Sequence, residues 1–95
     1  MTDLIVARSE DLESRSVDDE LVLLDLRTQR YLSLNRTGAQ LWPLIVEGVE
    51  RRRLVEALRD GHNVAEAVAQ RDVDVLVTQL READLLVAQK SDTAP

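Results

Sequence analysis

Few residues in this 95-residue chain have the types and spacing that catalysis or metal binding requires. The only histidine, His62, stands beside Gly61 in a stretch that reads as a loop, where a solvated or turn role outweighs a catalytic one. There is no cysteine, which removes disulfides, thiolate nucleophiles and thiolate metal ligands together. Ser9, Ser14, Ser16 and Ser33 lie in no motif that marks an activated nucleophile. Three glycines in all leave no phosphate-cradling loop. Asp18-Asp19 and the Asp72/Asp74 pair are the closest approach to paired acids, but residues two apart on a helix point in different directions. The expectation is a chain without catalytic residues, cofactor or metal.

Bulk properties narrow the choice further. Apolar residues make up 44% and charged residues 32%, the balance of a globular domain. The length allows one domain with one modest core. The opening Met-Thr-Asp-Leu-Ile-Val-Ala-Arg-Ser-Glu carries acids early and has no long apolar run, so no targeting segment is expected there. No stretch reaches the roughly 18 consecutive apolar residues of a membrane span. With the lack of cysteine this fits a cytoplasmic protein. The formal net charge is −6 and the pI about 4.7, which lowers the prospect of nucleic-acid binding, a process driven by cations meeting phosphates. The one basic run, Arg51-Arg52-Arg53, reads as the solvated first turn of a helix. An acidic surface favours a neutral or basic protein partner.

Those side chains must be positioned by a short series of elements. Leu4–Ala7 is strand-like, and Arg8–Asp19, polar and acid-rich, reads as a loop. Glu20–Leu26 is a stronger strand, apolar at nearly every position, a pattern that predicts burial on both faces. Arg27–Arg30 breaks it and Tyr31–Leu34 resumes it, predicting a hairpin. Tyr31 opens that strand either as a half-buried cross-strand residue or as a ligand contact. Thr37 is a candidate N-cap for a helix whose apolar face holds Ala39, Leu41, Trp42, Leu44, Ile45 and Val46, with Trp42 in the core. Pro43 should distort this helix locally and Gly48 should end it. A second helix is expected over Arg51–Arg59, broken by Asp60-Gly61-His62. Asn63 with Glu66 resembles a capping box for a third helix over Val64–Asp84.

Winding that third helix at ~100° per residue separates two apolar stripes. Ala65, Ala69, Val73, Leu76, Leu80 and Ala83 should face the core. Val64, Val68 and Val75 lie beside them with Asp72 and Gln79. This second stripe either packs on the second helix or meets a partner. Leu85–Val87 reads as a short extended segment and residues 88–95 as a flexible tail, leaving 1–87 as the domain. Strands followed by helices predict an α+β domain: a small winged-helix-like unit with a three-stranded antiparallel sheet followed by three helices. A winged-helix DNA-binding regulator would need a basic recognition helix, whereas Val64–Asp84 holds five acids and two arginines.

The stretch Leu23-Leu24-Asp25-Leu26, four polar residues, Tyr31-Leu32-Ser33-Leu34-Asn35, then Thr37-Gly38-Ala39 and Leu41-Trp42 resembles the PqqD-like family. Members are peptide-recognition elements of pathways that modify ribosomally made peptides. The likeness continues through Glu47-Gly48, Asp72-Val73 to Leu80, and Leu80-Arg81-Glu82-Ala83-Asp84-Leu85-Leu86, where Asp84 replaces the glycine of the family pattern. It covers about Leu21 to Val87 and is most like the stand-alone leader-binding proteins of lasso-peptide biosynthesis, with a PqqD-type chaperone for another modification enzyme as the sister reading.

The resemblance implies non-catalytic binding of the leader segment of a precursor peptide and its delivery to a maturation enzyme such as a separate leader peptidase. It places the leader between the strand Tyr31, Leu32, Ser33, Leu34 and the helix face bearing Val68, Asp72, Val75, Leu76 and Gln79. Physical chemistry supports such a mode. The outer strand of a hairpin shows unpaired N–H and C=O groups on which another strand can form.

Overall fold

The computed structural model describes residues 4–87, with the side chain of His62 excepted. Its central element is a three-stranded antiparallel sheet in the order β2 (Leu12–Val17), β3 (Glu20–Asp25), β4 (Arg30–Leu34). Along β3, Leu21, Leu23 and Asp25 are buried while Val22 and Leu24 are half-buried. The helices therefore cover one face of the sheet only, contrary to the two-sided burial that the apolar run predicts. Antiparallel sheets tolerate one solvated face.

The expected fold class holds, but the three strands are not the expected three. Leu12–Val17, read as loop, is the outer strand of the sheet. Only Leu12 is even half-buried, so the strand lacks the alternation by which strands are recognised. The first strand, β1 (Leu4–Ile5), instead pairs with β5 (Val49–Glu50), which follows the first helix. Beyond β1, Ala7 bridges Leu86, and Val87 N–H donates to Val6 O, so the expected extended segment after the last helix is held by the chain's beginning. Residues 88–95, read as a flexible tail, lie outside the described residues.

Helix α1 (Arg36–Glu47) is capped by Asn35, whose Oδ1 accepts from Gly38 N–H at 2.9 Å, and not by Thr37, which lies inside it. The apolar face presents Leu41, Trp42 and Ile45 to the core. The helix runs through Pro43 without interruption, with the proline ring on the exposed side. Gly48 ends it at φ 94°, a conformation that other residues resist. At Gly38 a Cβ would lie 3.1 Å from Leu34 Cβ and 3.3 Å from Leu76 Cδ1. The missing side chain lets α1 approach both β4 and the last helix.

Helix α2 (Arg51–His62) continues through Asp60, Gly61 and His62, past the expected break. Its end is Asn63, in the left-handed conformation at φ 53° with its N–H on Arg59 O. Asn63 is thus a C-cap of α2 and not the N-cap of the next helix; asparagine tolerates this conformation better than most residues. Helix α3 (Glu66–Glu82) starts after Ala65 with no side-chain cap. Ala69, Val73, Leu76 and Leu80 face the core as expected, joined by Val77, whereas Ala65 and Ala83 are exposed. Asp84, at φ 61°, takes the place that glycine holds in the family pattern: Leu85 N–H reaches Leu80 O and Asp84 N–H reaches Arg81 O, closing α3 in a Schellman arrangement.

The Asn35 cap joins β4 to α1 directly. Asn35→Ala is expected to lower unfolding free energy by about 1 kcal/mol, measured by urea denaturation, with Asn35→Asp retaining most of it.

Candidate functional site

Strand β4 forms one edge of its sheet among the described residues. The direction of its backbone groups follows from its neighbours. Leu26 N–H donates to Asp11 O at 2.9 Å, so even-numbered residues of the β3 strand line direct their backbone toward β2. Gln29 N–H donates to Asp25 O at 2.7 Å, which turns the odd-numbered set toward β4. Leu21 lies opposite Leu34 and Leu23 opposite Leu32. Leu32 and Leu34 therefore pair inward, and Tyr31 and Ser33 direct their N–H and C=O groups to the open edge.

Facing that edge is α3, and the space between them is a groove in two compartments. The first, about 260 Å³, is lined by Ser33, Leu34, Thr37 and Gly38 on one side and Asp72, Val75, Leu76 and Gln79 on the other. The second, about 470 Å³, runs toward the β3–β4 turn between Tyr31, Leu32 and Leu23 and the end of α3 at Glu82, Ala83 and Leu85. The residues expected at a site thus converge, with one exception. Ser33, Leu34, Asp72, Val75, Leu76 and Gln79 meet in the first compartment and Tyr31 and Leu32 line the second. Val68 is half-buried and lines neither. It sits two turns before Val75 and beyond the reach of β4.

The Val75 end of the second stripe stays open, whereas Val64 and Val68 are half-buried. Val75 remains 53% exposed and Gln79 is exposed, both on the groove wall. Tyr31 is 73% exposed, not half-buried, because its side chain lies on the uncovered face of the sheet. Trp42 is buried as expected.

The second compartment was not anticipated from the sequence. Its deepest polar group is Asp25, the one charged residue in the described core, 5% exposed. It follows Leu21 and Leu23 at the inward parity of β3, a signal that was available in the pattern. Arg8 Nη2 donates to Asp25 Oδ1 at 2.7 Å and Arg27 N–H to the same oxygen at 3.0 Å. Arg8 Nη1 also donates to Asp84 O at 2.6 Å, and Arg27 Nη2 to the Asp84 carboxylate at 2.9 Å. This network ties the sheet wall of the groove to the end of the helix wall. Burial raises the Asp25 pKa, but the Arg27 N–H and the Arg8 guanidinium outweigh it and hold the carboxyl below its ordinary value.

The described residues bring no three His, Cys, Asp or Glu side chains together as a metal site, and no helix is long and apolar enough to cross a membrane.

Residues 20–86 match the family described as coenzyme PQQ synthesis protein D, PqqD. Two solved structures share the fold. One is described as TbiB1 in complex with the TbiA(beta) leader peptide: 29% identity, TM-score 0.77, covering 90% of this chain and 98% of that one. The other is a lasso peptide synthetase B1 complexed with the leader peptide: 28% identity, TM-score 0.73, covering 84% of this chain and 94% of that one. No curated protein sequence matches the chain.

The Asp25 network has a measurable signature. A carboxyl whose folded pKa lies below its unfolded value contributes stability that is present above the unfolded pKa and is lost as pH falls through the folded one. Thermal unfolding of the wild type is expected to weaken as pH drops through the acidic range. Asp25→Asn should be less stable at pH 7 and show a shallower loss on acidification.

Proposed function

The chain belongs to the PqqD family, and from that premise we propose that it is a non-catalytic domain which captures the leader segment of a ribosomally made precursor peptide. The leader adds as a further strand to β4 and is delivered to a separate maturation enzyme, a leader peptidase of lasso-peptide biosynthesis in the cytoplasm. The observation that carries this reading is the coincidence of an open strand edge with a groove walled by α3. Backbone pairing at Tyr31 and Ser33 supplies register, while the two compartments accept alternate side chains of the guest. The two leader-bound structures that share the fold support the same assignment.

A second reading within the same class keeps the binding mode and changes the enzyme served. The match to PqqD favours a chaperone role for a modification enzyme other than a peptidase. A DNA-binding regulator is disfavoured by α3, which carries Glu66, Asp72, Asp74 and Glu82 against Arg71 and Arg81. Titration with a lasso-precursor leader peptide, with duplex DNA and with a leader peptidase separates these possibilities.

Strand addition makes a directional prediction about proline, which removes an N–H and is accepted only where that group faces outward. Ser33→Pro is expected to keep a native circular dichroism spectrum and to weaken leader binding about tenfold or more in fluorescence polarisation. Leu32→Pro deletes an inward hydrogen bond and should damage the hairpin itself. Val75→Asp, solvated in the free protein and desolvated in the complex, should weaken binding with a stability change within about 0.5 kcal/mol. Wild-type affinity in both Ser33→Pro and Val75→Asp would exclude the groove.

A further inference from the structure

The two compartments of the groove differ in chemistry, and the difference bears on which peptides fit. Around the first, the polar residues Thr37, Asp72 and Gln79 and the edge backbone of Ser33 stand beside an apolar base of Leu34, Val75 and Leu76, and no cation is among the lining residues. Asp72 is half-buried there. Other acids are committed elsewhere: Asp74 pairs with Arg51, Glu66 with Arg59 and Asp19 with Arg36. Asp72 has no hydrogen bond or ion pair with any described residue. A partly desolvated carboxylate without a partner attracts a donor, most strongly a charged one.

The second compartment is nearly twice as large. Its base is Leu23, Leu32 and Leu85, and Asp25, which borders it, is already matched by Arg8. Its mouth carries Arg30 and Glu82, opposite charges that give no net preference.

We propose that the compartment at Asp72 selects a lysine or arginine side chain of the bound peptide and that the neighbouring compartment takes a bulky apolar one. The inference rests on the strand-addition reading above and deepens it. A lysine or arginine stem would lie along Val75 and Leu76 with its cationic head on Asp72 and the side-chain oxygens of Thr37 and Gln79. The sheet sides of the compartments are centred about two residues apart on β4, or ~7 Å. Side chains on one face of a guest strand recur every second residue. The cationic and apolar positions therefore fall two or four residues apart in the peptide. The protein's net charge of −6 adds a general attraction for such a segment.

A display library of random peptides, selected in parallel on immobilised wild type, Asp72→Asn, Asp72→Lys and Ser33→Pro, tests this. Wild type should enrich Lys or Arg at a fixed even spacing from a large apolar residue. Asp72→Lys should exchange that position for Asp or Glu and leave the apolar position unchanged. A synthetic peptide selected on wild type should bind Asp72→Asn about tenfold more weakly, with the gap narrowing at high salt. Equal charge preference, or none, across wild type and both Asp72 variants, while Ser33→Pro still abolishes binding, overturns the charge selection and leaves the groove standing. Undiminished binding to Ser33→Pro overturns strand addition and this inference with it. Failure to enrich any peptide on wild type counts against both.

Discussion

A carboxylate removed from water must recover its hydration through hydrogen bonds and opposite charge, or fold as an acid. Asp25 sits at the last inward position of β3, and two separate parts of the chain supply what it lacks. Arg8 arrives from the segment after β1, the Arg27 N–H from the start of the β3–β4 turn, and both arginines also hold Asp84, where α3 ends. Asp25 is buried and Arg8 largely so, whereas Arg27 and Asp84 are exposed, so removing Arg8 or Asp25 would leave the other short of its charged partner away from water. Its position matters more than its energy. It joins the sheet to the end of α3 at one end of the groove, while the close approach at Gly38 sets the other end. The groove width is thus held at two points by contacts that a guest need not form.

Between these points the edge of β4 stays open. Edge strands invite uncontrolled pairing, and proteins commonly blunt them with charge, bulges or cover. Here the opposite edge strand, β2, carries Glu13 and Arg15, whereas β4 faces α3 across the groove. In the strand addition proposed above, a guest is extended, matches the parity of Tyr31 and Ser33, and places side chains against the helix.

Charge is distributed with the same economy. Two arginines of α2 pair with acids of α3, through Arg51–Asp74 and Arg59–Glu66, in contacts near the surface that contribute little to stability. What they do is consume acids on that side of α3. Asp72, on the groove side, makes no ion pair with a described residue.

The sequence by itself determined the hairpin of β3 and β4, the helix carrying Trp42 and the core face of α3. Each rests on periodicity or on local chain geometry, which neighbouring residues encode. It also carried the family likeness through Leu-Asn-x-Thr-Gly-Ala and the spacing to Trp42, and that likeness, not periodicity, implied that Tyr31–Leu34 would face Asp72, Val75, Leu76 and Gln79. Only the tertiary structure decided the rest. Leu12–Val17 is a strand because β3 offers it hydrogen bonds, and a ribbon exposed on both faces leaves no pattern in hydropathy. Asn63 and Asp84 end helices because the chain must turn there to pack, although Asn63 read locally as a helix start and Asp84 as a missing glycine. Val68 and Val75 share a stripe, yet only Val75 stands opposite β4. Tyr31 and Ser33 present their backbone outward because the pairing of β3 with β2 fixes the parity of β3 and hence of β4. That parity is a property of three strands in register, and no single strand contains it.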